Sequence, residues 1–190
     1  MKLDGILPFA RQLIEKAVSP GDCVIDATLG NGHDTLFLAN LIGDSGMVYG
    51  FDIQEEAIFN TRKRLLNKQL ADRITLFHKG HEHILTSIPE SHHGKIKAAI
   101  FNLGYLPGGD KTIVTTPLTT ISAIKQLLEL MAPEGIIVLV IYHGHLEGAI
   151  EREELLQFVK ELDQKAAHVL QYQFINQKNN PPFIIAIEKR

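Results

Sequence analysis

The sequence has no excess of basic residues: 19 lysines and arginines stand against 22 aspartates and glutamates, for a net charge of −3. No chain-wide attraction to nucleic acid follows, so any such contact must rest on a local patch. Cysteine occurs once, at Cys23. An intrachain disulfide is impossible, and a reducing compartment, the cytoplasm, is the default expectation. No apolar run reaches the roughly 18 residues of a membrane span, so no membrane partner is expected. The stretch MKLDGILPFARQLIEKAV is not a signal peptide, because Arg11 and Glu15 interrupt it. Its apolar residues Leu7, Ala10, Leu13, Ile14 and Ala17 recur at helical spacing and predict an amphipathic helix opened by Pro8. Linkers, internal repeats and low-complexity tracts are also missing, so residues 1–190 read as one domain.

What is present is an alternation. Apolar strand-like runs at 23–27, 47–53, 73–78, 96–103 and 135–143 are separated by helical patterns at 34–42, 55–69, 117–131 and 148–162. Two further runs follow at 167–175 and 182–189, with the turn-rich NQKNNPP between them. Near-continuous apolar strands separated by helices imply a parallel sheet covered on both faces. The last two runs leave no room for a helix and should pair as an antiparallel hairpin. The expected fold is α/β: a doubly wound, seven-stranded, Rossmann-like sheet, mostly parallel, ending in that hairpin. In such sheets the loops at the carboxyl ends of the strands build the ligand site. Here they contain GNGHD, DIQ, HKGHEH, NLGYLPGGDK and YHGHLEG.

The first loop, VIDATLGNGHDT, has no lysine or arginine, which excludes a Walker phosphate loop. It holds Gly30-x-Gly32, but Thr35 takes the third glycine position of a dinucleotide fingerprint. Asp26 closes the preceding strand. A carboxylate there would repel pyrophosphate and suit a cation, such as the amino-acid part of S-adenosylmethionine. Gly30 and Gly32 let the backbone pass close to a ligand. Asp52 ends the second strand, where a carboxylate can accept both hydroxyls of a ribose. The competing structural reading is two turn glycines and two helix-capping acids.

In HKGHEH, His81 and Glu82 are the expected contacts to an adenine edge. Solvent-facing loop histidines at 78, 81 and 83 and a three-histidine metal site are the alternatives. His92 and His93 read as exposed loop. Asn102 is polar at the end of an apolar strand, and Tyr105 follows in an irregular loop with Gly104, Pro107, Gly108 and Gly109. The oxygen of Asn102 can accept hydrogen bonds from an amine and aim its lone pair at a methyl donor. Tyr105 offers an aromatic face to a flat base. A polar strand end plus a core tyrosine is the alternative. Asp110 and Lys111 read as substrate contacts or as a simple turn, Thr116 before Pro117 as a helix N-cap, and His143 and His145 as proton acceptors or structural histidines. Methylation at C5 of a pyrimidine commonly needs a cysteine nucleophile. Cys23 heads a core strand, so the acceptor should already be nucleophilic, an amine or an oxygen.

Taken together, these motifs resemble the class I S-adenosylmethionine-dependent methyltransferases over nearly the full length. More narrowly, DATLGNGHDT, FDIQ, GHE, FNLGYLPGGDK and YHGH are similar to a small bacterial family of rRNA methylases that includes a tRNA 5-(aminomethyl)-2-thiouridine methyltransferase. The resemblance implies S-adenosylmethionine as cofactor and methylation of the aminomethyl nitrogen of the wobble uridine. It puts Asn31, Gly32 and His33 around the methionine part of the cofactor. Asp52 and Gln54 fall at the ribose, His81 and Glu82 near the adenine, and Asn102 and Tyr105 beside the acceptor. Asn-Leu-Gly-Tyr departs from the Asn/Asp-Pro-Pro-Tyr of many amino-methylating enzymes. With tRNA as substrate, recognition confined to the anticodon arm or enlarged by a homodimer is expected. Candidate basic contacts are Arg11, Lys16, Lys95, Lys97, Lys111 and Lys178. The alternatives are a methyltransferase for an rRNA site or a small molecule, a nicotinamide-dependent enzyme, and a non-catalytic adenosyl-binding module.

Overall fold

In the computed structural model the described residues are 2–66, 68, 70–106, 108–110 and 112–190. Pro107 and Lys111, both named above, lie outside them. Helices α1 (Ile6–Ala17), α2 (His33–Leu41), α3 (Glu55–Leu66), α4 (Ile84–Ser87), α5 (Pro117–Leu130) and α6 (Leu146–Lys160) alternate with strands. The strands are β1 (Cys23–Asp26), β2 (Met47–Asp52), β3 (Ile74–His78), β4 (Ile96–Leu103), β5 (Met131–Ile141), β6 (Ala167–Tyr172) and β7 (Phe183–Lys189). Helix α1 starts two residues before Pro8, which sits in its first turn, where the backbone N–H groups have no intrahelical partner. Thr116 caps α5 as its sequence predicts: its side chain accepts from Thr119 N–H, and Pro117 follows.

The sheet order is β3-β2-β1-β4-β5-β7-β6. Strands β1 to β5 pair in parallel, whereas β7 runs antiparallel to both β5 and β6. The final hairpin is present, but its second strand is inserted between the first and the rest of the sheet. Burial explains the order. Phe183, Ile184, Ile185, Ala186 and Ile187 are all buried and need neighbours on both sides. Strand β6 carries His168 and Gln171 and is mostly exposed, so it takes the edge.

Successive strand residues serve opposite faces. Val24, Val48, Ile100, Val138 and Ile184 pack with Ala10 and Ile14 of α1, Leu38 of α2 and Leu65 of α3. Ile25, Phe51, Phe101, Leu139 and Ile185 pack on the other face with Ile84, Ile124, Leu127 and Leu155. Each fully buried aliphatic side chain contributes about 1.5–3 kcal/mol of transfer free energy. Among the described residues no helix is long and apolar enough to cross a membrane.

Strands β1 and β4 are neighbours, yet the chain leaves β1 toward β2 and leaves β4 toward β5. The two departing loops diverge and leave a crevice at the carboxyl edge. Two cavities open there, of about 240 and 770 Å3.

Candidate active site

Thr28, Gly30, Asn102, Gly104 and Tyr105 line both cavities and form the wall they share. The smaller cavity is also bounded by Asp52, Gln54, His81 and Glu82. The larger is bounded by Asn31, His33 and Asp34, and by Arg11, Tyr142 and Asn180 from outside the first loop. The topology thus gathers most of the expected site residues around one crevice.

Two of them face elsewhere. Asp26 is fully buried and lines neither cavity. Its carboxylate accepts from Thr35 Oγ1 at 2.6 Å and from Thr28 N–H at 3.3 Å. The expected direct contact with a ligand cation is therefore corrected: Asp26 ties the first loop together from below. Burial pushes its pKa up to about 7, reinforced by the nearby charge of Asp34 and opposed by the hydrogen bonds from Thr35 and Thr28. Gly32 also lines neither cavity. It is left-handed (φ 74°), and a Cβ there would sit 2.8 Å from Thr61 Oγ1. Its missing side chain makes room for α3, not for a ligand. Gly30 is the glycine that meets the crevice.

Helix α3 braces that loop from outside. Arg64 Nε donates to Asn31 O at 2.7 Å, and Asn60 Nδ2 donates to Asn31 Oδ1 at 3.1 Å. His33 Nε2 lies 3.2 Å from Arg64 Nη2.

Asp52 accepts from Gly30 N–H at 3.0 Å and from Gln54 N–H at 2.9 Å, one on each oxygen. The Ile53 N–H also acts on this carboxylate, which still has acceptor capacity toward the cavity. Burial raises the Asp52 pKa, with the Gln54 and Gly30 N–H groups opposing. His81 is buried, its Nδ1–H donating to Ala27 O at 3.2 Å and its ring edge-on to Phe101. Burial lowers its pKa, so it forms a neutral wall of the smaller cavity. Glu82 borders the same cavity, and its carboxylate folds back over Gly80.

Asn102 N–H donates to Thr28 Oγ1 at 2.7 Å, and Asn102 Nδ2 donates to Asp34 Oδ2 at 2.8 Å. Tyr105 stands edge-on to the His145 ring, with centroids 5.7 Å apart. The segment from Gly104 to Thr116 is closed at its neck. Gly104 N–H donates to Thr115 Oγ1, and Thr115 N–H donates to Gly104 O. Thr115 and Thr120 hydroxyls then donate to Glu151 of α6 at 2.6 and 2.7 Å. Glu151 is 2% exposed, and burial raises its pKa against those two hydrogen bonds.

Other expectations change as well. His143 is held by Pro181 O at 3.0 Å and packs on Phe183, a structural position beside the larger cavity. His92 is not a free loop residue, since its Nδ1 meets Tyr49 OH at 2.6 Å and Cys23 Sγ at 3.5 Å. Lys95 and Lys97 lie at the amino end of β4, across the sheet from the crevice. Arg11 is bound to Asp34. Lys178 falls between β6 and β7 on the crevice side, near Asn180. Among the described residues no group of three His, Cys, Asp or Glu is placed to hold a metal ion. Sequence reasoning assigned nothing to Asp34, Thr28, Thr115, Tyr142 or Glu151. Asp34 had a signal, in the quoted loop and one residue into α2. Glu151 had none, because a glutamate in an acidic helix looks like surface.

The family model described as "Putative rRNA methylase" matches residues 48–188. A crystal structure from Clostridium thermocellum with that description is 46% identical, with a TM-score of 0.96 and 100% of each chain covered. That of SMU.1697c from Streptococcus mutans, in complex with SAH, is 38% identical with a TM-score of 0.89 over 99% of each chain. The chloroplastic tRNA (mnm(5)s(2)U34)-methyltransferase of Arabidopsis thaliana is 35% identical over 184 residues. That match takes in 92% of this chain, which spans 66% of the plant protein's length. The match over most of the sequence and the near-superposable structures agree, and the chain belongs to this rRNA methylase family, on the fold of the class I S-adenosylmethionine-dependent methyltransferases.

Proposed function

We propose that this protein methylates the aminomethyl nitrogen of 5-aminomethyl-2-thiouridine at the tRNA wobble position, giving 5-methylaminomethyl-2-thiouridine. The observation that carries the reading is Asn102, which stands on the wall shared by the two cavities with its amide nitrogen already bonded. The Arabidopsis relative's name supports the substrate.

The donor set suits S-adenosylmethionine, which supplies an electrophilic methyl group when bound. Asp52 offers its carboxylate as acceptor to a ribose diol, with Gln54 beside it. His81 and Phe51 provide the walls of a slot for an adenine, with the Glu82 carboxylate at its edge as a hydrogen-bond acceptor. Gly30 removes a side chain from the path between the cavities, with Asn31 and His33 toward the methionine part. Asn102 accepts an N–H of the acceptor amine and leaves its lone pair directed at the methyl carbon. Tyr105 lies against the base. The acceptor nitrogen ends with a methyl in place of one proton, which leaves to solvent. The gain is proximity and orientation. In this reading the anticodon arm is the part of the tRNA engaged, and Lys178, between β6 and β7 on the crevice side, is a basic residue that can meet its backbone.

Purified protein and S-adenosylmethionine are incubated with tRNA from cells lacking the gene, and nucleosides are measured by mass spectrometry. One added methyl on 5-aminomethyl-2-thiouridine is expected. No change there, with cofactor binding shown by calorimetry, overturns the wobble-uridine assignment. The search then moves to rRNA, which the family description and a partial relative favour: the ribosomal RNA small subunit methyltransferase H of Dictyoglomus turgidum, 35% identical over 89 residues. We expect Asn102→Ala to lower kcat about 100-fold and leave cofactor affinity within about twofold. Equal losses in both would move Asn102 out of the acceptor site.

A further inference from the structure

Asp34 has no part in the steps above, yet it joins three elements. Arg11 of α1 donates to Asp34 Oδ1 through Nη2 at 2.8 Å and Nε at 3.3 Å. Asn102 of β4 donates to the other oxygen, Oδ2, at 2.8 Å. Asp34 itself lies in the first turn of α2. The Arg11 guanidinium also sits 5.1 Å from the centre of the Phe37 ring, which steadies it from a second side. The Asp34 side chain is only 15% exposed, against 41% for Arg11.

A primary amide has one end that donates and one that accepts, whereas a carboxylate only accepts. Asp34 therefore selects the donating end of Asn102, and the oxygen is turned away from it. With the Asn102 backbone N–H on Thr28, both the strand end and the amide plane are set. Arg11 saturates the other carboxylate oxygen, so Asp34 cannot swing away cheaply. We propose that Asp34, braced by Arg11, is a positioning residue that presents the Asn102 oxygen to the methyl acceptor. The site then selects acceptors that carry an N–H or O–H donor. This rests on the reading of Asn102 given above. The rival role for Asp34, which also lines the larger cavity, is direct contact with the cofactor ammonium.

Two measurements test it. In 15N-labelled protein the Asn102 side-chain NH2 resonances are assigned by their loss in Asn102→Ala. Asp34→Asn should shift them strongly, and unchanged positions would overturn the proposal without any substrate. In turnover on tRNA bearing 5-aminomethyl-2-thiouridine, Asp34→Asn and Asp34→Ala should each lower kcat about 100-fold, with SAH affinity by calorimetry within about twofold. Asp34→Asn keeps side-chain size and guards against a folding defect in Asp34→Ala. The double variant Asp34→Ala/Asn102→Ala should lie within about twofold of Asn102→Ala alone, since both act through one amide. Additive losses, or a parallel loss of SAH affinity, would overturn the relay and leave the reading of Asn102 standing. An Asn102→Ala enzyme of unchanged kcat would overturn both. Failure of the parent protein to methylate this tRNA would sink the substrate assignment, while the NMR arm still decides the amide orientation.

Discussion

Asp26 and Asp52 both end strands and both have raised pKa values, yet they play different parts. Asp26 is sealed beneath the first loop; Asp52 borders the smaller cavity. Asp52→Ala should weaken S-adenosylmethionine binding about 10- to 100-fold by calorimetry, about 1.4–2.8 kcal/mol. The variant loses the proposed ribose acceptors and also frees the Gly30 and Gln54 N–H groups. Asp26 makes a prediction about pH. Its folded pKa of about 7 lies above the 3.8 of a free aspartate. The folded state then holds the extra proton between those values, so its stabilising contribution is full below about pH 4 and is lost as pH rises to about 7. Asp26→Asn keeps partners for Thr28 and Thr35 but does not titrate. Its urea midpoint should rise relative to the parent between pH 4 and 7. A constant difference across that range would count against a protonated Asp26.

Glu151 links α6 to the neck of the segment between β4 and α5. It accepts from Thr115 and Thr120, and Thr115 in turn receives Gly104 N–H. That segment carries Tyr105, so the position of the ring proposed to meet the acceptor depends on a glutamate in a different helix. Glu151→Ala would take the shared acceptor from the buried Thr120 hydroxyl and the half-buried Thr115 hydroxyl. We expect a loss of about 3 kcal/mol in urea unfolding with the m-value unchanged, and a raised KM for the RNA. Glu151→Gln, which keeps one acceptor oxygen, should recover more than half of the loss. An unaltered midpoint in Glu151→Ala would mean that the neck closes without it.

At the scale of the whole molecule, the crevice lies where the chain reverses direction across the sheet, between β1 and β4. A ligand there touches loops from β1, β2, β3 and β4 at once. Binding should therefore stabilise the entire fold. At a concentration 100 times its Kd, SAH should add about 2.7 kcal/mol. For a chain of this length that raises Tm by roughly 5–10 °C in a thermal scan. Asp52→Ala should show about half of this rise or less at the same concentration, since a 10- to 100-fold weaker Kd leaves about 0.4–1.4 kcal/mol. A parent protein whose Tm does not respond to SAH would exclude a cofactor site in the crevice.

Residue order alone determined the alternation of strands and helices, because period-2 and helical apolar patterns are local. It also placed the glycines, Asp52, His81 and Asn102 at strand ends, where a doubly wound sheet builds its site. Tertiary structure decided the rest. The place of β7 inside the sheet depends on competition between two strands for burial, which no single segment encodes. The inward turn of Asp26 depends on Thr35 lying above it, and the gap at Gly32 on Thr61 from α3. The chain of Arg11, Asp34 and Asn102 joins residues 23 and 68 positions apart. A hydrogen bond selects on distance and direction in space, and neither can be read from separation along the chain.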